Sequence, residues 1–546
     1  MNRLLFGDNL QWLRDPKIFP DASVDLVYLD PPFNSNADYN VLFREESGEA
    51  SQAQFHAFTD TWNWADAAQT YSEFVDTCPN TVVVEMVEAL HSFLKNSPMM
   101  AYLAMMAPRL VELHRVLKPT GSLYLHCDPT ASPYLRAILD NLFGAEKLRN
   151  EIVWRRTSSK GLMSRRFARN HDPILSYAKS DESFWDEEAV FTKYEASDLD
   201  DKTEEKYSLK DEEGRLYQLT SLINPNQNRP NLTYEFLGVK RVWRWTKERM
   251  VEAYNHGLVI QTAPGKVPRF KRYLDEQRGK PLGDVWADIA PLNSQAQERL
   301  GYPTQKPLAL LERIISVACP KNGLVLDPFC GCGTTIHAAE KLGRQWIGID
   351  ITYLAINLIK RRLREAFPEE FNENKLEFEE RGQPTDFKSA KALAELDKWQ
   401  FQQWALSLVD ARPRTEGDGK GADRGVDGML YFYESKEKRE KILVQVKGGG
   451  VKRSDMTTLL GDVNNQKFVA GILITLEKPS KPMREEAVDA GRYTSQLWHD
   501  KDYPKIQILT IEGLLAGTER VETPPQMNPF AKAQREGKQE KQTKLL

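Results

Sequence analysis

The chain has five cysteines in 546 residues, at Cys78, Cys127, Cys319, Cys330 and Cys332, and no pair of Cys-x2-Cys spacings. An odd, scattered set builds neither a disulfide framework nor a paired zinc knuckle, and it implies a reducing, cytoplasmic setting. Long apolar runs are absent too. Nothing approaches the roughly 20 consecutive apolar residues that cross a bilayer, and the opening MNRLLFGDNL lacks the apolar core of an export signal, so no membrane partner is expected. Charge of neither sign dominates. With 74 Lys and Arg against 78 Asp and Glu, the formal net charge is -4, so an anionic partner has to be met by a local patch. The chain also lacks a Gly-x-Gly-x-x-Gly fingerprint and any lysine following its main glycine turn, which disfavours a dinucleotide site and a P-loop.

What is present is size and rhythm. The length, with 41% hydrophobic and 28% charged residues, exceeds what one core normally fills, so two or three domains are expected. Apolar runs that end in an acidic residue mark buried strands stopping at functional loops: SVDLVYLD ending at Asp30, LVLD ending at Asp327 and WIGID ending at Asp350. A helical pattern through Met99 to Leu117 leads into Lys118-Pro119-Thr120-Gly121 as stop and turn, then a strand from Gly121 to His126. Helices are predicted near Leu308 to Val317 and Thr334 to Lys341. Strand, helix and strand in this order predict a parallel sheet covered by helices.

The rhythm weakens between about Ser180 and Gln295, where charge and aromatic content rise. The resulting plan has residues 1–180 and 296–366 as two parts of one sheet domain and 181–295 as an inserted region. Residues 367–392 are a polar, loosely packed linker whose charged end could hold a helix, 393–515 a smaller α/β domain, and 516–546 a polar tail. Within the smaller domain the patterns predict an amphipathic helix from Leu393 through Leu408, a hairpin-like pair at MLYFYES and KILVQVKG, a polar helix and the strand FVAGILIT.

Two motifs carry chemistry. Asp327-Pro328-Phe329-Cys330-Gly331-Cys332-Gly333-Thr334-Thr335 closes a strand, turns on glycines that let backbone approach a ligand, and opens a helix whose first N–H groups converge. Asp350, ending the next strand, is placed to accept hydrogen bonds from ribose hydroxyls. A nucleotide-like cofactor suits this pattern, although a plain strand-to-helix crossover also uses a glycine turn. Cys330 and Cys332 lack matching partners and read as small buried residues rather than zinc ligands.

The other motif, Asp30-Pro31-Pro32-Phe33, suits a planar exocyclic amine. The Asp30 carboxylate and the Pro31 carbonyl can accept both amine hydrogens while Phe33 offers a ring face, and the prolines stiffen the loop. Accepting both hydrogens turns the nitrogen lone pair toward a sulfonium methyl group, so positioning and electrostatics supply the catalysis. A base inside a duplex has to be flipped out to reach such a pocket. Taken alone, the tetrapeptide reads as a strand-ending turn with an Asx cap; the glycine turn later in the chain changes its meaning.

These two motifs, with Tyr302-Pro303-Thr304-Gln305-Lys306-Pro307, resemble the amine-binding, cofactor-binding and leading-helix motifs of amino-group DNA methyltransferases, and their order resembles the beta class. The resemblance covers roughly residues 1 to 365. It implies a Rossmann-like fold, S-adenosylmethionine as donor, and methylation of adenine N6 or cytosine N4 in a defined sequence of double-stranded DNA. Asp30, Pro31, Pro32 and Phe33 would form the target pocket. Asp327, Phe329, Gly331, Gly333 and Thr334 would form the cofactor turn, Asp350 would meet the ribose, and Thr304 with Lys306 would lie near the methionine end. Aspartate at the head of the tetrapeptide leans toward adenine in this family, and the class implies a homodimer.

Arg155, Arg156, Lys160, Arg165, Arg166 and Arg169 place six basic side chains within sixteen residues, either as a phosphate-tracking loop or as an ordinary solvated face. His171-Asp172 stands beside them as a pair that would orient the loop. Lys266, Arg269, Lys271 and Arg272 form a second basic patch. Base-reading residues belong in the inserted region, where the sequence singles out none. Trp243 and Trp286 fit core or interface positions better than base stacking.

In the smaller domain Asp427 precedes one strand, and period-two geometry sends Gln445 and Lys447 of the next to one face. Such a set can hold a divalent metal and a scissile phosphate, or Lys447 is simply a surface residue on an edge strand. Gly425-Val426-Asp427-Gly428, Val444-Gln445-Val446-Lys447 and Phe401-Gln402-Gln403-Trp404-Ala405 resemble the restriction-endonuclease-like fold in its Mrr-type branch. The resemblance implies Asp427 and Gln445 as metal ligands, for Mg2+, with Asp423 assisting. Glutamine stands where relatives carry acids, at Gln402 or Gln403 and at Gln445, so metal binding would be weakened and the domain would cut DNA or only bind it.

The expected fold class is α/β: a Rossmann-like S-adenosylmethionine-dependent methyltransferase sheet, an inserted DNA-recognition region, and a second, smaller restriction-endonuclease-like α/β domain. The expected function is restriction-modification by one polypeptide. A methyltransferase merely anchored by its second domain, an RNA methyltransferase and a non-enzymatic DNA-binding scaffold are the rival readings, and intact Asp30, Asp327 and Asp350 weigh against the scaffold.

Overall fold

The computed structural model describes residues 2–32, 64–157, 167–194, 199, 201–292, 296, 298–300, 304–372, 375–413, 426–434, 438–465, 468–495, 497 and 502–524. It divides into two compact units, Met1–Trp185 with Asp284–Leu546, and Asp186–Gly283.

The first unit is organised by a nine-stranded sheet built from β1 (Asn2–Phe6), β2 (Val24–Leu29), β3 (Leu117–His126), β4 (Leu148–Arg155), β5 (His171–Ala178), β6 (Val285–Trp286), β7 (Leu324–Asp327), β8 (Gln345–Asp350) and β9 (Phe378–Arg381). The strand order is β6-β4-β5-β3-β2-β7-β8-β1-β9. All neighbours are parallel except β5, which runs antiparallel to both β3 and β4. The central strands are apolar throughout because both faces are covered. Alternate residues feed opposite cores. Leu5, Val27 and Leu29 pack with the helices Pro98–Val116 and Ser132–Phe143, whereas Leu4, Leu26 and Tyr28 pack with Leu308–Ala318, Thr334–Lys341 and Tyr353–Ala366.

Several expectations need correcting. Lys118–Gly121 is not a turn before a separate strand: β3 starts at Leu117, and the four residues leave the ladder as a bulge, since Val24 pairs with Leu117 and Leu26 with Ser122. The segment 367–392 is not loosely packed. It holds the helix Pro368–Asn372, the edge strand β9 paired in parallel with β1, and the start of the helix Phe387–Leu396, because Phe378 and Phe371 pack against the main core. Val285–Trp286, expected within the inserted region, pairs with β4, and Trp286 is buried.

A second sheet in the same unit has the order Arg412–Pro413, Gly428–Tyr433, Arg439–Lys447, Ala470–Thr475 and Ile506–Thr510, with the first three strands antiparallel and the rest parallel. The single helix expected from Leu393 through Leu408 is two helices, Phe387–Leu396 and Lys398–Ser407, broken where Asp397 takes an extended conformation and caps the second through Gln400 N at 2.9 Å. Its core takes in Tyr353, whose ring stacks on Phe6 with centroids 3.7 Å apart, so the two sheets share apolar material.

The Asp186–Gly283 unit has its own core around Leu222, Phe236, Trp243, Met250 and Val259. A four-stranded antiparallel sheet orders Val259–Ile260, Arg269–Tyr273, Leu216–Ser221 and Leu209–Lys210, beside the ribbon Thr233–Phe236 and Val239–Val242. Among the described residues no helix is long and apolar enough to cross a membrane.

Candidate active site

The neighbouring parallel strands β2, β7, β8 and β1 carry Asp30, Asp327, Asp350 and Asp8 at or just beyond their carboxyl ends, and β3 ends in His126. The chain leaves β2 toward β3 on one side and β7 toward β8 on the other. The edge between β2 and β7 is therefore the switch point at which open α/β sheets form a ligand crevice.

The turn after β7 is braced by its own backbone. Asp327 Oδ1 accepts from Phe329 N at 3.0 Å, and Gly331 N donates to Asp350 Oδ2 at 3.0 Å. Asp350 Oδ1 accepts from both Thr352 N and Thr352 Oγ1, at 2.8 Å each. Gly331 and Gly333 adopt φ of 47° and 74°, and a Cβ on Gly333 would lie 2.6 Å from Ile359 Cγ1. Glycine is thus required at 333 on both conformational and steric grounds. Gly333 also leaves the first N–H groups of the helix Thr334–Lys341 without a side-chain cap.

Two braces escaped the sequence reading. Beneath the turn, buried Arg362 donates to Cys332 O at 3.2 Å, Thr334 Oγ1 at 3.0 Å and His337 Nδ1 at 3.0 Å. Burial and Arg362 push His337 down to about 2, which keeps it a neutral acceptor. Beside the turn, Asn9 Nδ2 donates to Pro328 O at 2.7 Å, and buried Arg109 donates to Asn9 Oδ1 at 2.6 Å and Asp8 Oδ1 at 2.7 Å. The sequence signal was the Gly7-Asp8-Asn9 turn after a short apolar run, weak without its distant partner.

At the end of β2, Asp30 is ion-paired with Lys306, which joins the two sequence motifs. Behind them, Tyr28 Oη lies 3.1 Å from His126 Nδ1, and His126 Nε2 lies 3.3 Å from Asp172 Oδ2. A carboxylate only accepts, so His126 donates from Nε2 and takes the tyrosine hydroxyl at Nδ1. Burial, then Lys306, lowers the His126 value, and burial, then Asp30, raises that of Tyr28. Burial pushes Asp327 up to about 7 and Asp350 up to about 6. Two carboxyls held this high in a crevice mark a place where a bound cation would be stabilised.

The structure therefore brings Asp30, Pro31, Lys306, Asp327, Gly331, Gly333, Thr334 and Asp350 to one sheet edge or the segments leaving it. Thr304 precedes Lys306 on the segment entering the helix Leu308–Ala318, and Phe329 is partly buried against the main core. Pro32 is partly buried at the end of the described segment. Phe33, Lys160, Arg165, Arg166, Tyr302, Pro303, Asp423 and Gly425 lie outside the described residues, as does the tail from residue 525. Cys330 and Cys332 are buried, and no metal-binding cluster occurs among the described residues. Trp243 and Trp286 are core residues.

The basic stretch after β4 is less free than expected. Arg156 Nε lies 3.2 Å from Asp172 Oδ1, so Asp172 serves His126 and Arg156 rather than pairing with His171. Arg155 donates to Ala287 O at 2.8 Å, and Arg169 to Thr130 Oγ1 at 3.2 Å. In the smaller domain Asp427 Oδ2 accepts from Val446 N at 2.6 Å, Gln445 Nε2 donates to Asp462 at 3.2 Å, and Lys447 Nζ lies 3.3 Å from Asp455. Gln445 and Lys447 share a face toward the helix Arg453–Asn465, as period-two geometry requires.

Comparison with known proteins follows the same division. Residues 399–516 match the family described as NACHT-associated inactive Restriction Endonuclease 1. The Type II methyltransferase M.EcaI of Enterobacter cloacae is 30% identical over 266 residues, 48% of this chain and 57% of that protein. The Mod subunit of the Type III restriction-modification enzyme StyLTI of Salmonella typhimurium is 26% identical over 63% of this chain and 50% of its own length. The chain thus spans about half the length of these two relatives. The DNA adenine methyltransferase YhdJ of Escherichia coli K12 is 25% identical over 66% of this chain and 82% of that protein. Residues 24–361 match the N6/N4 DNA methylase family, and that span, running from β2 into the helix after β8, holds both strands that flank the crevice: the protein belongs to the DNA methylase family.

Proposed function

We propose that the protein transfers a methyl group from S-adenosylmethionine to adenine N6 in double-stranded DNA at a defined sequence. The observation that carries this reading is the adjacency of β2 and β7, where Val27 pairs with Leu326, so that the amine motif and the cofactor turn leave neighbouring strands in the same direction. Asp30 and the Pro31 carbonyl would hold the amine hydrogens, leaving its lone pair free for attack. Pro32 and Phe33 complete the pocket in this reading. The donor set suits the cofactor: Asp327 is a buried carboxyl that a sulfonium or ammonium group would draw into its charged form, Asp350 would accept from the ribose hydroxyls, and the uncapped helix start offers N–H groups to a carboxylate. S-adenosylmethionine supplies an electrophilic methyl group; the protein supplies orientation and exclusion of water. Phe329, Gly331, Gly333, Thr334, Thr304 and Lys306 would border it.

Adenine is favoured by the aspartate that opens the tetrapeptide and by the similarity to the DNA adenine methyltransferase YhdJ. The motif order supports the beta class, in which a homodimer is expected. The Asp186–Gly283 unit is assigned to recognition of DNA, and Arg155, Arg156 and Arg169 to its backbone.

For the smaller domain, the inactive family description and the sparse carboxylate set favour a DNA-contacting role without Mg2+-dependent cleavage. Asp427, Gln445 and Lys447 then hold structure and charge rather than a metal. The test of the main reading is nucleoside mass spectrometry of mixed-sequence duplex incubated with the protein and isotopically labelled cofactor in chelator. Labelled N6-methyladenine supports it, labelled N4-methylcytosine corrects the base, and no labelled base in DNA that is demonstrably bound rejects it.

A further inference from the structure

The Asp186–Gly283 unit has a lopsided charge distribution. Residues 216–272 carry ten Lys and Arg against three Asp and Glu. Among the described residues, none of these ten cations forms an ion pair; the paired arginines of the unit, Arg215 and Arg278, lie outside this stretch. Instead Lys271 stacks over Tyr217 at 5.3 Å and Arg249 over Trp245 at 4.6 Å. Cations free of ion pairs, two of them over aromatic rings, suit a polyanion.

One exposed loop lies within this stretch, Asn224-Pro225-Asn226-Gln227-Asn228-Arg229. It is anchored at its start, where Asn224 N donates to Val242 O at 2.8 Å and Arg244 Nε donates to Ile223 O at 3.1 Å. Beyond that point its own amides shape it. Asn224 Oδ1 accepts from Asn226 N at 3.0 Å, Asn226 Oδ1 accepts from Asn228 N at 3.0 Å, and Gln227 Nε2 donates to Asn224 O at 2.7 Å. Pro225 through Arg229 are all exposed. The side-chain amide of Asn228 and the guanidinium of Arg229 take part in no hydrogen bond or ion pair among the described residues. Asn224, Asn226 and Gln227 therefore build the loop, and Asn228 and Arg229 are left presenting planar bidentate groups to solvent on a stiffened support, at reduced ordering cost to a binding partner.

We propose that Asn228 and Arg229 read base edges in the major groove of the DNA substrate, Asn228 at an adenine through N6 and N7 and Arg229 at a guanine through O6 and N7. Those pairings follow from donor and acceptor geometry, while the surrounding unpaired cations hold phosphates and set register. The assignment rests on the DNA reading above and adds the residues that set sequence preference.

The test selects randomised duplex DNA with the full-length protein in the absence of cofactor and sequences what is retained, for the wild type and for Asn228→Ala, Arg229→Ala and Lys240→Ala. Lys240 is exposed on the ribbon and serves as a phosphate-contact control. The expected wild type enriches one sequence. Asn228→Ala loses discrimination at one adenine and Arg229→Ala at one guanine, each by about tenfold, with the other positions kept. Lys240→Ala weakens all sequences alike and lowers the salt dependence by about one phosphate contact. The proposal is overturned if both loop variants keep the wild-type preference, if they weaken every sequence equally, or if the wild type shows no preference. Because the readout needs no methyl transfer, a protein that binds selectively but does not methylate would reject the proposed function and retain the loop assignment.

Discussion

Lys306 closes an ion pair on Asp30 across 276 residues of sequence, and the two side chains are only 13% and 18% exposed. The pair fixes the carboxylate at the point where an incoming amine would need it. Lys306→Met is expected to lower kcat by about tenfold, with Lys306→Arg restoring part of the loss. Steady-state methylation kinetics with the cofactor saturating make the comparison, and an unchanged kcat in Lys306→Met would remove the positioning role.

The two buried carboxyls at the glycine turn should set a pH dependence. Asp327 at about 7 and Asp350 at about 6 lie above the ordinary carboxylate value, so the native state keeps protons that the unfolded chain has released. Their contribution to stability is fully present below that ordinary value and is lost as pH rises through about 6 and then about 7. A cationic cofactor prefers the charged carboxyl and should bind about tenfold more tightly near pH 8 than near pH 6. Calorimetric titration across that range checks the slope. Asp327→Asn should flatten its upper step; equal slopes in both proteins would assign the pH dependence elsewhere.

Arg362 holds the glycine turn from below. Its removal in Arg362→Met leaves buried acceptors on Cys332, Thr334 and His337 with a lost donor, and the expected loss of stability is about 3 kcal/mol. Lysine should not rescue it, because one ammonium cannot reproduce the planar fork. Chemical denaturation measures this directly, and a midpoint within error of wild type would show that the turn supports itself.

The smaller domain should not cut DNA. With Asp427 engaged by Val446 N and Gln445 engaged by Asp462, supercoiled plasmid incubated with the protein and Mg2+ is expected to stay intact, in methylated and unmethylated form alike. Nicking that appears with Mg2+ and disappears in Asp427→Ala would reinstate a nuclease.

Contact between the two sheets carries a consequence for binding. Gln400 Nε2 donates to Ile351 O at 3.2 Å, directly after Asp350, and Tyr353 is buried in the smaller domain's core. Gln400→Ala should therefore weaken cofactor binding by a few-fold without changing which base is modified. Equilibrium dialysis with labelled cofactor gives the number, and unaltered affinity would mean that the smaller domain does not steady this loop.

The sequence made legible those features whose signal is local. Apolar runs ending in Asp30, Asp327 and Asp350, and the glycine turn between the last two, sit where their strands and helix were expected. What stayed hidden depends on partners distant in sequence. Arg109 reaches Asp8 and Asn9 over about 100 residues, and His126 meets Asp172 where the adjacent His171 had seemed the natural partner. The edge strand β9 reads as polar linker because Phe-Glu-Glu-Arg shows one apolar residue, and only pairing with β1 gives it a place. Asn228 and Arg229 carried no sequence signal at all, since an amide-rich loop looks like any turn until its internal bonds separate builders from free groups.

The most direct measurement is single-turnover transfer of labelled methyl to duplex DNA by wild type and Asp30→Ala, with cofactor and DNA binding measured on both proteins. The expected result is base methylation by wild type and a loss of at least about a hundredfold in Asp30→Ala while both binding constants hold. Comparable transfer by Asp30→Ala, or no transfer by a wild type that binds both ligands, would contradict the assignment of the β2 edge as the amine site.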